Sequence, residues 1–278
     1  MLICQRFATA RRIAQNSRSM RFPFRSPALG LCLLCIGHGF SLNAQSLRIA
    51  AASDLRWALE EVSTAFRRER PGKIAITYGS SGNFHSQLLS KAPFDLFLSA
   101  DVAYPRDLVE RGLGVRDSLF VYGTGRVVIW VPRASPIAAE KLGLAALREP
   151  SVKKIAIANP KHAPYGRAAE AVMKKAGFWE GLQDKLVLGE NISQAAQFVQ
   201  SGSADIGFIA LSLVIAGPMK DQGRWWLVPA EDHPVIEQGG VILPWATDLA
   251  YARNFRDFLM SDEGIRIMRQ YGFSAKVP

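Results

Sequence analysis

The fold is decided by residues 47–101, which read LRIAAASDLRWALEEVSTAFRRERPGKIAITYGSSGNFHSQLLSKAPFDLFLSAD. Three short apolar runs have the composition of buried strands: residues 47–52, 73–78 and 94–100. Between the first two runs, apolar side chains recur at the spacing of a helix with one buried face, namely Leu55, Ala58, Leu59, Val62, Ala65 and Phe66. A shorter helical run follows the second strand. The stretch therefore predicts a β-α-β-α-β unit in a parallel, doubly wound sheet.

Later residues repeat this alternation and predict a second lobe. Strand and helix patterns alternate again from residue 153 to 211, and two apolar strands, 126–132 and 239–245, look like paired crossings between the lobes. A helical segment near the C-terminus is expected to pack back on the first lobe. The sequence thus predicts an α/β fold of two doubly wound lobes joined by two crossover strands, with a cleft between them. The predicted boundaries are 46–127 for the first part of lobe 1, 128–242 for lobe 2 and 243–278 for the return to lobe 1.

The first 44 residues have the pattern of a secretory signal. They contain six arginines and no acidic residue, followed by an apolar run from Ala28 to Phe40 and a small residue at Ala44. The apolar run has thirteen residues, whereas a helix needs about 20 to cross a bilayer. We therefore predict cleavage after Ala44 and export. Leu42 leaves open an uncleaved anchor, and translation could begin at Met20.

Loss of that segment changes the charge and the cysteine content. The full chain has 34 Lys and Arg against 24 Asp and Glu, a formal net charge of +10; without the six arginines, 28 basic residues remain and the net charge is +4. The remaining basic residues are interspersed with acidic ones, which argues against a nucleic-acid partner. Cys4, Cys32 and Cys35 also leave, so the mature chain has no disulfide and no thiolate metal ligand.

Serines follow the ends of two predicted strands, where helices begin. Ser53 follows the first strand, and Ser80 and Ser81 follow the second strand between Gly79 and Gly82. In doubly wound sheets, ligands bind at the carboxyl ends of strands, toward which helix amino termini direct unpaired NH groups. Such a terminus favours an anion, a serine hydroxyl adds a donor, and glycine lets the backbone approach the ligand. The pattern indicates either an anion cradle of neutral donors or ordinary helix caps.

The second lobe offers a comparable surface. One helix begins at about Gly166 and another near Ile192, and each presents backbone NH groups toward the cleft. Tyr165 either contributes its NH or its phenol to a ligand, or packs on the hinge as a loop aromatic. The residues alone leave both alternatives open.

Several segments together resemble the periplasmic molybdate-binding proteins that supply ABC importers: AAASDL, YGSSGNFHSQLLSKAPFDLFLSAD, ANPKHAPYGRAAEAVMKKAGFW, GENISQA, ADIGFIALS and FLMSDEGIRIMRQYGF. The resemblance covers nearly the whole mature chain, in order and at compatible spacing. It implies the two-lobed periplasmic-binding-protein fold, a periplasmic location, no catalysis and no cofactor. It also implies that a molybdate or tungstate ion is held in the cleft for a membrane permease. We expect the protein to be a monomer.

By position, the resemblance implies that Ser53 and Ser81 donate hydroxyl and backbone NH bonds from lobe 1. Tyr165 and Ile192 would donate backbone NH bonds from lobe 2. Molybdenum would be present only as the oxyanion, so these residues contact its oxygen atoms and none is a metal ligand. One departure is Ala210, where many members of the family place a tyrosine whose hydroxyl reaches the ligand. Either the phenol of Tyr165 substitutes, or the site has one donor fewer.

The predicted donor set also has a consequence for selectivity. A fully deprotonated tetrahedral dianion offers only acceptors, so a shell of OH and NH donors without a carboxylate favours it over protonated oxyanions. Asp54, beside Ser53, is therefore expected to face outward or to cap its helix.

Two other functions are consistent with parts of the pattern. The same fold could hold sulfate, phosphate or a small organic anion. Ser81 and His85 stand four residues apart with Asp95 nearby, which makes a secreted serine hydrolase conceivable. However, GSSG is not a nucleophile elbow, and His162 and His233 are isolated in loops, so we predict neither an enzyme nor a catalytic metal site.

Overall fold

The computed structural model describes residues 45–274, so the predicted signal segment lies outside the described residues. The strands are β1 Ser46–Ala52, β2 Lys73–Gly79, β3 Leu96–Ser99, β4 Phe120–Gly125, β5 Val127–Pro132, β6 Ile155–Ala158, β7 Leu186–Gly189, β8 Ile206–Ala210, β9 Gly223–Leu227 and β10 Ile236–Ile242. The α-helices are α1 Arg56–Glu69, α2 Ser81–Leu89, α3 Ala103–Glu110, α4 Ala139–Leu142, α5 Pro164–Lys175, α6 Trp179–Leu182, α7 Ile192–Gln200, α8 Leu211–Val214, α9 Leu249–Leu259 and α10 Asp262–Gln270. None of the helices in this part of the chain is long and apolar enough to cross a membrane.

The strands form two five-stranded mixed sheets, one in each lobe. The first has the order β2-β1-β3-β10-β4, and the second has the order β7-β6-β8-β5-β9. In the first sheet β1 is parallel to β2 and β3, whereas β10 is antiparallel to β3 and β4. In the second, β6 is parallel to β7 and β8, whereas β5 is antiparallel to β8 and β9. The predicted two-lobed α/β fold with a β-α-β-α-β start is confirmed.

The position of β10 corrects the predicted lobe boundaries. The prediction assigned residues up to 242 to lobe 2, but β10 pairs with β3 and β4 and so belongs to the first sheet. The chain crosses between the sheets at Arg126 and again over residues 228–235, and not at 239–245. A strand that is buried on both faces reads as a continuous apolar run in either sheet, so its sequence could not identify its neighbours.

The C-terminal helices return to the first lobe, as predicted. Phe66 of α1 packs against Tyr251, Phe255 and Phe258 of α9, with ring centroids 5.2, 5.1 and 5.6 Å from its own. Phe66, Tyr251 and Phe255 are fully buried. Tilted and edge-on aromatic pairs at such distances add to the stabilisation gained from burial alone. This cluster fixes α1 behind the sheet whose strand ends carry the predicted serines.

Candidate functional site

The predicted serines lie side by side at the edge of the first sheet. Because β1 and β2 are parallel with Ala52 opposite Gly79, the residues that follow the two strands emerge next to each other at the same edge of the sheet. Ser53 and Ser81 are 3% and 1% exposed, and both line the same cavity. Their placement follows from the strand register and does not depend on a contact between the serines themselves.

Ser80 and Ser81 have different roles, which separates the two interpretations of the glycine-flanked turn. Ser80 is the N-cap of α2, and its Oγ accepts a hydrogen bond from the Asn83 amide at 3.3 Å. The Oγ of Ser81 instead accepts from the Ala100 amide at 2.9 Å. A serine hydroxyl has one hydrogen and two lone pairs, so Ser81 keeps its hydrogen for a further acceptor. Ser80 is thus a cap, and Ser81 has the chemistry of a ligand donor.

Two helices of the second lobe begin on the opposite side of the cavity. Tyr165 lies in the first turn of α5, and Ile192 is the first residue of α7. The first NH groups of a helix have no acceptor within the helix, so both termini direct unpaired donors toward the cleft. Asn191 caps α7, with its Oδ1 accepting from the Gln194 amide at 3.1 Å. Tyr165 and Ile192 are both nearly fully buried.

The structure brings all four predicted residues around one small cavity. Its volume is about 10 Å³. The lining combines both lobes: Ala52, Ser53, Asp54, Gly79, Ser80, Ser81, Ala100, Ala163, Pro164, Tyr165, Asn191 and Ile192. No Lys or Arg is among these lining residues, so the groups that can attract an anion are helix amino termini and hydroxyl groups. The contacts of the four residues with a ligand remain predictions.

Direct hydrogen bonds join the lobes around this cavity. The Gly82 amide donates to the His162 carbonyl at 2.9 Å, and the Ser193 hydroxyl donates to the Ser53 carbonyl at 3.0 Å. Ser80 Oγ also lies 3.0 Å from His162 Nδ1. These bonds describe a closed cleft.

A second, larger cavity lies outside the first and shares Ser53 and Asn191 with it; we name it the vestibule. Its volume is about 520 Å³. Arg56 is the charged residue among those that line it, and its guanidinium lies 5.5 Å from the Trp57 ring centroid and 5.8 Å from that of Tyr78. The vestibule therefore connects the candidate anion site to a cationic, aromatic surface.

Asp54 neither faces outward nor caps its helix with its side chain, so this expectation is wrong. It is 1% exposed and lines the inner cavity. Its Oδ2 accepts hydrogen bonds from the Tyr165 hydroxyl at 2.8 Å and from Gln238 Nε2 at 2.5 Å. Burial raises the pKa of Asp54 from 3.8 to about 6, an effect that these two bonds and the amides of Asp54 and Leu55 partly offset.

The position of the Tyr165 phenol answers the question raised by Ala210. Ala210 is fully buried at the end of β8 and has no hydroxyl to offer. The phenol of Tyr165 has one hydrogen, which it donates to Asp54. Burial, followed by the negative charge of Asp54, raises the pKa of Tyr165 well above its usual value. In this arrangement the phenol does not substitute, and the site has one donor fewer than the resemblance implied.

Sequence reasoning missed Gln238 and Tyr122, which complete the network around Asp54. The Tyr122 hydroxyl lies 3.1 Å from Gln238 Oε1 and donates to the Ser99 carbonyl at 2.9 Å. The signal available in the sequence was a glutamine directly before the apolar run of β10, and the structure buries it fully. A buried amide requires hydrogen-bond partners, so such a residue indicates a polar neighbour.

The residues of the conceivable hydrolase are not brought together. His85 Nε2 lies 2.7 Å from Asp107 Oδ2, and its ring packs 5.0 Å from that of Tyr104. Asp95 precedes β3, whereas Ser81 follows β2, so the two residues lie at opposite ends of the parallel strands. The carboxylate of Asp95 accepts from Arg48 Nη2 at 2.8 Å and from Arg48 Nε at 3.0 Å. A nucleophile needs its base within hydrogen-bond reach, and within the described residues Ser81 has no such contact with His85.

Comparisons with known proteins identify the family to which the chain belongs. Residues 47–274 match the bacterial extracellular solute-binding protein family. The chain is 36% identical over 255 residues to the molybdate-binding protein ModA of Rhodobacter capsulatus, covering 91% of this chain and 98% of that protein.

Two solved structures are informative. The periplasmic molybdate-binding protein of Azotobacter vinelandii superposes with a TM-score of 0.78 at 29% identity, covering 83% of this chain and all of that one. The sulfate-binding protein SubI of Mycobacterium tuberculosis superposes with a TM-score of 0.66 at 17% identity over 82% of this chain and 86% of its own, a likeness of fold alone. By its match over nearly the whole described length, the chain belongs to the bacterial extracellular solute-binding proteins.

Proposed function

We propose that this protein captures molybdate or tungstate in the cleft between its lobes and delivers the ion to the membrane permease of an ABC importer. Relatives named as molybdate-binding proteins, at 36% and 35% identity, support the ligand. The observation that carries the proposal is the buried cavity between two lobes, lined by uncommitted donors and by no Lys or Arg. We place this activity in the periplasm, after removal of the predicted signal, and propose that the protein acts as a monomer.

The donors suit a tetrahedral dianion. Ser81 has a hydroxyl hydrogen to give, and the first amides of α2, α5 and α7 carry the partial positive charge of helix amino termini. Ser53 adds a hydroxyl beside them. We propose that Ser53, Ser81, Tyr165 and Ile192 hold the oxygens of the ion, with the last two acting through their backbone NH groups.

Closure couples binding to transport. Donors from the two lobes can all reach one ion only when the cleft is closed, so the ligand favours the closed state by the bonds it makes to the second lobe. A permease can then distinguish loaded from empty protein by the relative position of the lobes. The chemistry required is binding and release, so we propose no catalytic activity and no cofactor.

Asp54 makes protonated anions the competing ligands to test. A carboxylate inside an anion site can accept a hydrogen bond from an oxyanion that retains a proton, such as hydrogenphosphate. The lining of the cavity therefore contains a feature that a purely donor-based site for a dianion would lack.

A thermal-shift panel of oxyanions on the mature chain tests the proposal. A ligand at about a hundred times its dissociation constant stabilises the native state by about 2.7 kcal/mol, which shifts the melting temperature measurably. We expect shifts with molybdate and tungstate, and none with equimolar sulfate or phosphate. A larger shift with sulfate or phosphate would overturn the ligand and leave the fold unaffected.

A further inference from the structure

Asp54 combines burial with an incomplete set of partners. Its Oδ2 has two donors, whereas its Oδ1 is shielded from solvent and forms no hydrogen bond of normal geometry among the described residues, although the amides of Asp54 and Leu55 lie close enough to the carboxylate to lower its pKa. An unpaired buried carboxylate oxygen is costly, and such groups concentrate at functional sites. Asp54 lines the inner cavity and directly follows Ser53, one of the predicted ligand donors.

The groups that face Asp54 carry no positive charge. Tyr165 of α5 and Gln238 of β10 donate to its carboxylate, and Ser212 of α8 donates to its backbone carbonyl at 2.7 Å. Tyr122 of β4 is the other titratable neighbour, and burial, followed by the charge of Asp54, raises the pKa of Tyr122 well above its usual value. Arg126, at the crossing between the sheets, donates from Nη2 to the Val228 carbonyl, its buried Nε has no partner among the described residues, and it makes no hydrogen bond to Asp54. Nothing among these groups neutralises the carboxylate.

A dianion in the inner cavity would face this carboxylate at short range. Like charges in a water-poor site raise the pKa of the group that can take a proton. Burial within the protein already raises the pKa of Asp54 to about 6, so a further negative charge beside it would move the pKa above neutral pH. Protonation removes the repulsion, and a proton on Oδ1 converts that unpaired acceptor into a donor.

We propose that Asp54 is a specificity-determining residue of the cleft, which takes up one proton from solvent as the oxyanion binds and donates a hydrogen bond to it from Oδ1. This inference rests on the proposed function. It predicts that a fully deprotonated dianion binds together with a proton, so the charge of the cavity changes by one unit and not by two. It also supplies the donor that Ala210 does not provide.

Calorimetry tests the proton directly in the unmodified protein. Molybdate is titrated into the mature chain at pH 7.5 in Tris and in HEPES, whose ionisation enthalpies differ, and the difference in observed heat gives the number of protons taken up. We expect about one proton per bound ion. Between pH 7 and the raised pKa of the bound state, the dissociation constant should rise with pH by up to tenfold per pH unit, the limit for uptake of one proton.

Two variants assign the proton to this network. Asp54→Asn keeps the shape and removes the charge, so molybdate should bind without proton uptake, with an affinity independent of pH and at least tenfold higher at pH 8.5. Tyr165→Phe removes a hydrogen bond that lowers the pKa of Asp54, so the pH dependence of binding should move to higher pH. Asp117→Asn, at an exposed carboxylate paired with Arg253, is the control and should retain the proton uptake.

The outcomes separate the two proposals. Molybdate binding without proton uptake in the unmodified protein, or equal uptake in Asp54→Asn, would overturn the role of Asp54 and leave the proposed function in place. If no oxyanion produced heat or a thermal shift with the unmodified protein, the proposed function would be wrong and this inference with it.

Discussion

Arg167 of the second lobe forms an ion pair with Asp101 of the first, across the cleft. Its Nη1 also donates to the Tyr104 hydroxyl at 3.1 Å, and its guanidinium lies 5.6 Å from the centroid of that ring. Asn83 of the first lobe donates to Glu190 of the second at 2.8 Å. These polar contacts hold the closed cleft together at its rim, outside the proposed ligand site.

Arg167→Gln should therefore accelerate release of the ion. Both partners of the ion pair are partly exposed, at 39% and 30%, so the pair is worth roughly 0.2–1 kcal/mol, or about a 1.4- to fivefold change in dissociation rate. Stopped-flow release measurements on Arg167→Gln, Asp101→Asn and the double variant give the coupling energy. Asp117→Asn breaks an ion pair with Arg253 and serves as the control. Strictly additive effects of the two substitutions would exclude a direct contribution of the pair.

Ser81→Ala should weaken molybdate binding far more than His85→Ala. Loss of one hydrogen bond to a charged ligand costs roughly 1.5–3 kcal/mol, or about ten- to a hundredfold in affinity. His85 pairs with Asp107, so its removal should leave affinity unchanged. Isothermal titration measures both. Ser81→Ala also deprives the Ala100 amide of its acceptor, so melting temperatures are needed to separate a folding defect from a binding defect. Equal losses in the two variants would contradict the role of Ser81.

Gly82→Ala should prevent full closure without unfolding the first lobe. A Cβ on Gly82 would lie 2.6 Å from the His162 carbonyl oxygen of the other lobe, which is backbone and cannot yield easily. Within α2, alanine is about 1 kcal/mol more favourable than glycine, so the open state should not be destabilised.

Small-angle scattering checks the effect of Gly82→Ala. The radius of gyration should fall when the unmodified protein is saturated with molybdate, and it should fall less in the variant. Gly181→Ala is the matched control, because an added Cβ there meets nothing within 4 Å. Normal compaction of Gly82→Ala would mean that the lobes close with a different contact at this point.

Asp95 should make the fold sensitive to acid. Burial alone would raise its pKa, but hydrogen bonds from Arg48 and the Thr247 amide hold the pKa below 3.8. A depressed pKa contributes stability that is present above pH 3.8 and is lost as the pH falls through the lower, folded-state value. The free energy of unfolding in urea should thus fall steeply below about pH 4. Asp95→Asn should be less stable at pH 7, and its free energy of unfolding should depend less on pH below about pH 4. An identical dependence on pH in the variant would assign the effect to other carboxylates.

The parts of the site that could be predicted were those with local signals. Ser53, Ser81, Tyr165 and Ile192 each follow a strand or open a helix, and glycines flank the turn before α2. Parallel strands end at a common edge, so residues that follow them in sequence become neighbours in space.

The parts that could not be predicted depend on distant partners. Tyr165 and Gln238 are 111 and 184 residues from Asp54, and no local pattern connects them to it. A carboxylate at a helix start is most often exposed, so the general expectation for Asp54 failed where two long-range donors bury it. The sheet to which β10 belongs was hidden for a related reason, because strand pairing is decided by topology and its apolar sequence suits either lobe.

The vestibule gives the closed cleft two unequal sides. The rim with Arg167 and Asp101 is sealed by direct contacts, whereas Ser53 and Asn191 border the vestibule on the other side. An ion that leaves past Ser53 enters the vestibule, where Arg56 is the charged residue of the lining. Salt screens the attraction between them over a Debye length of about 8 Å at physiological ionic strength. Its escape into bulk solvent therefore competes with return. The cargo is retained by geometry and local concentration as well as by the strength of its bonds, and this retention weakens as ionic strength rises.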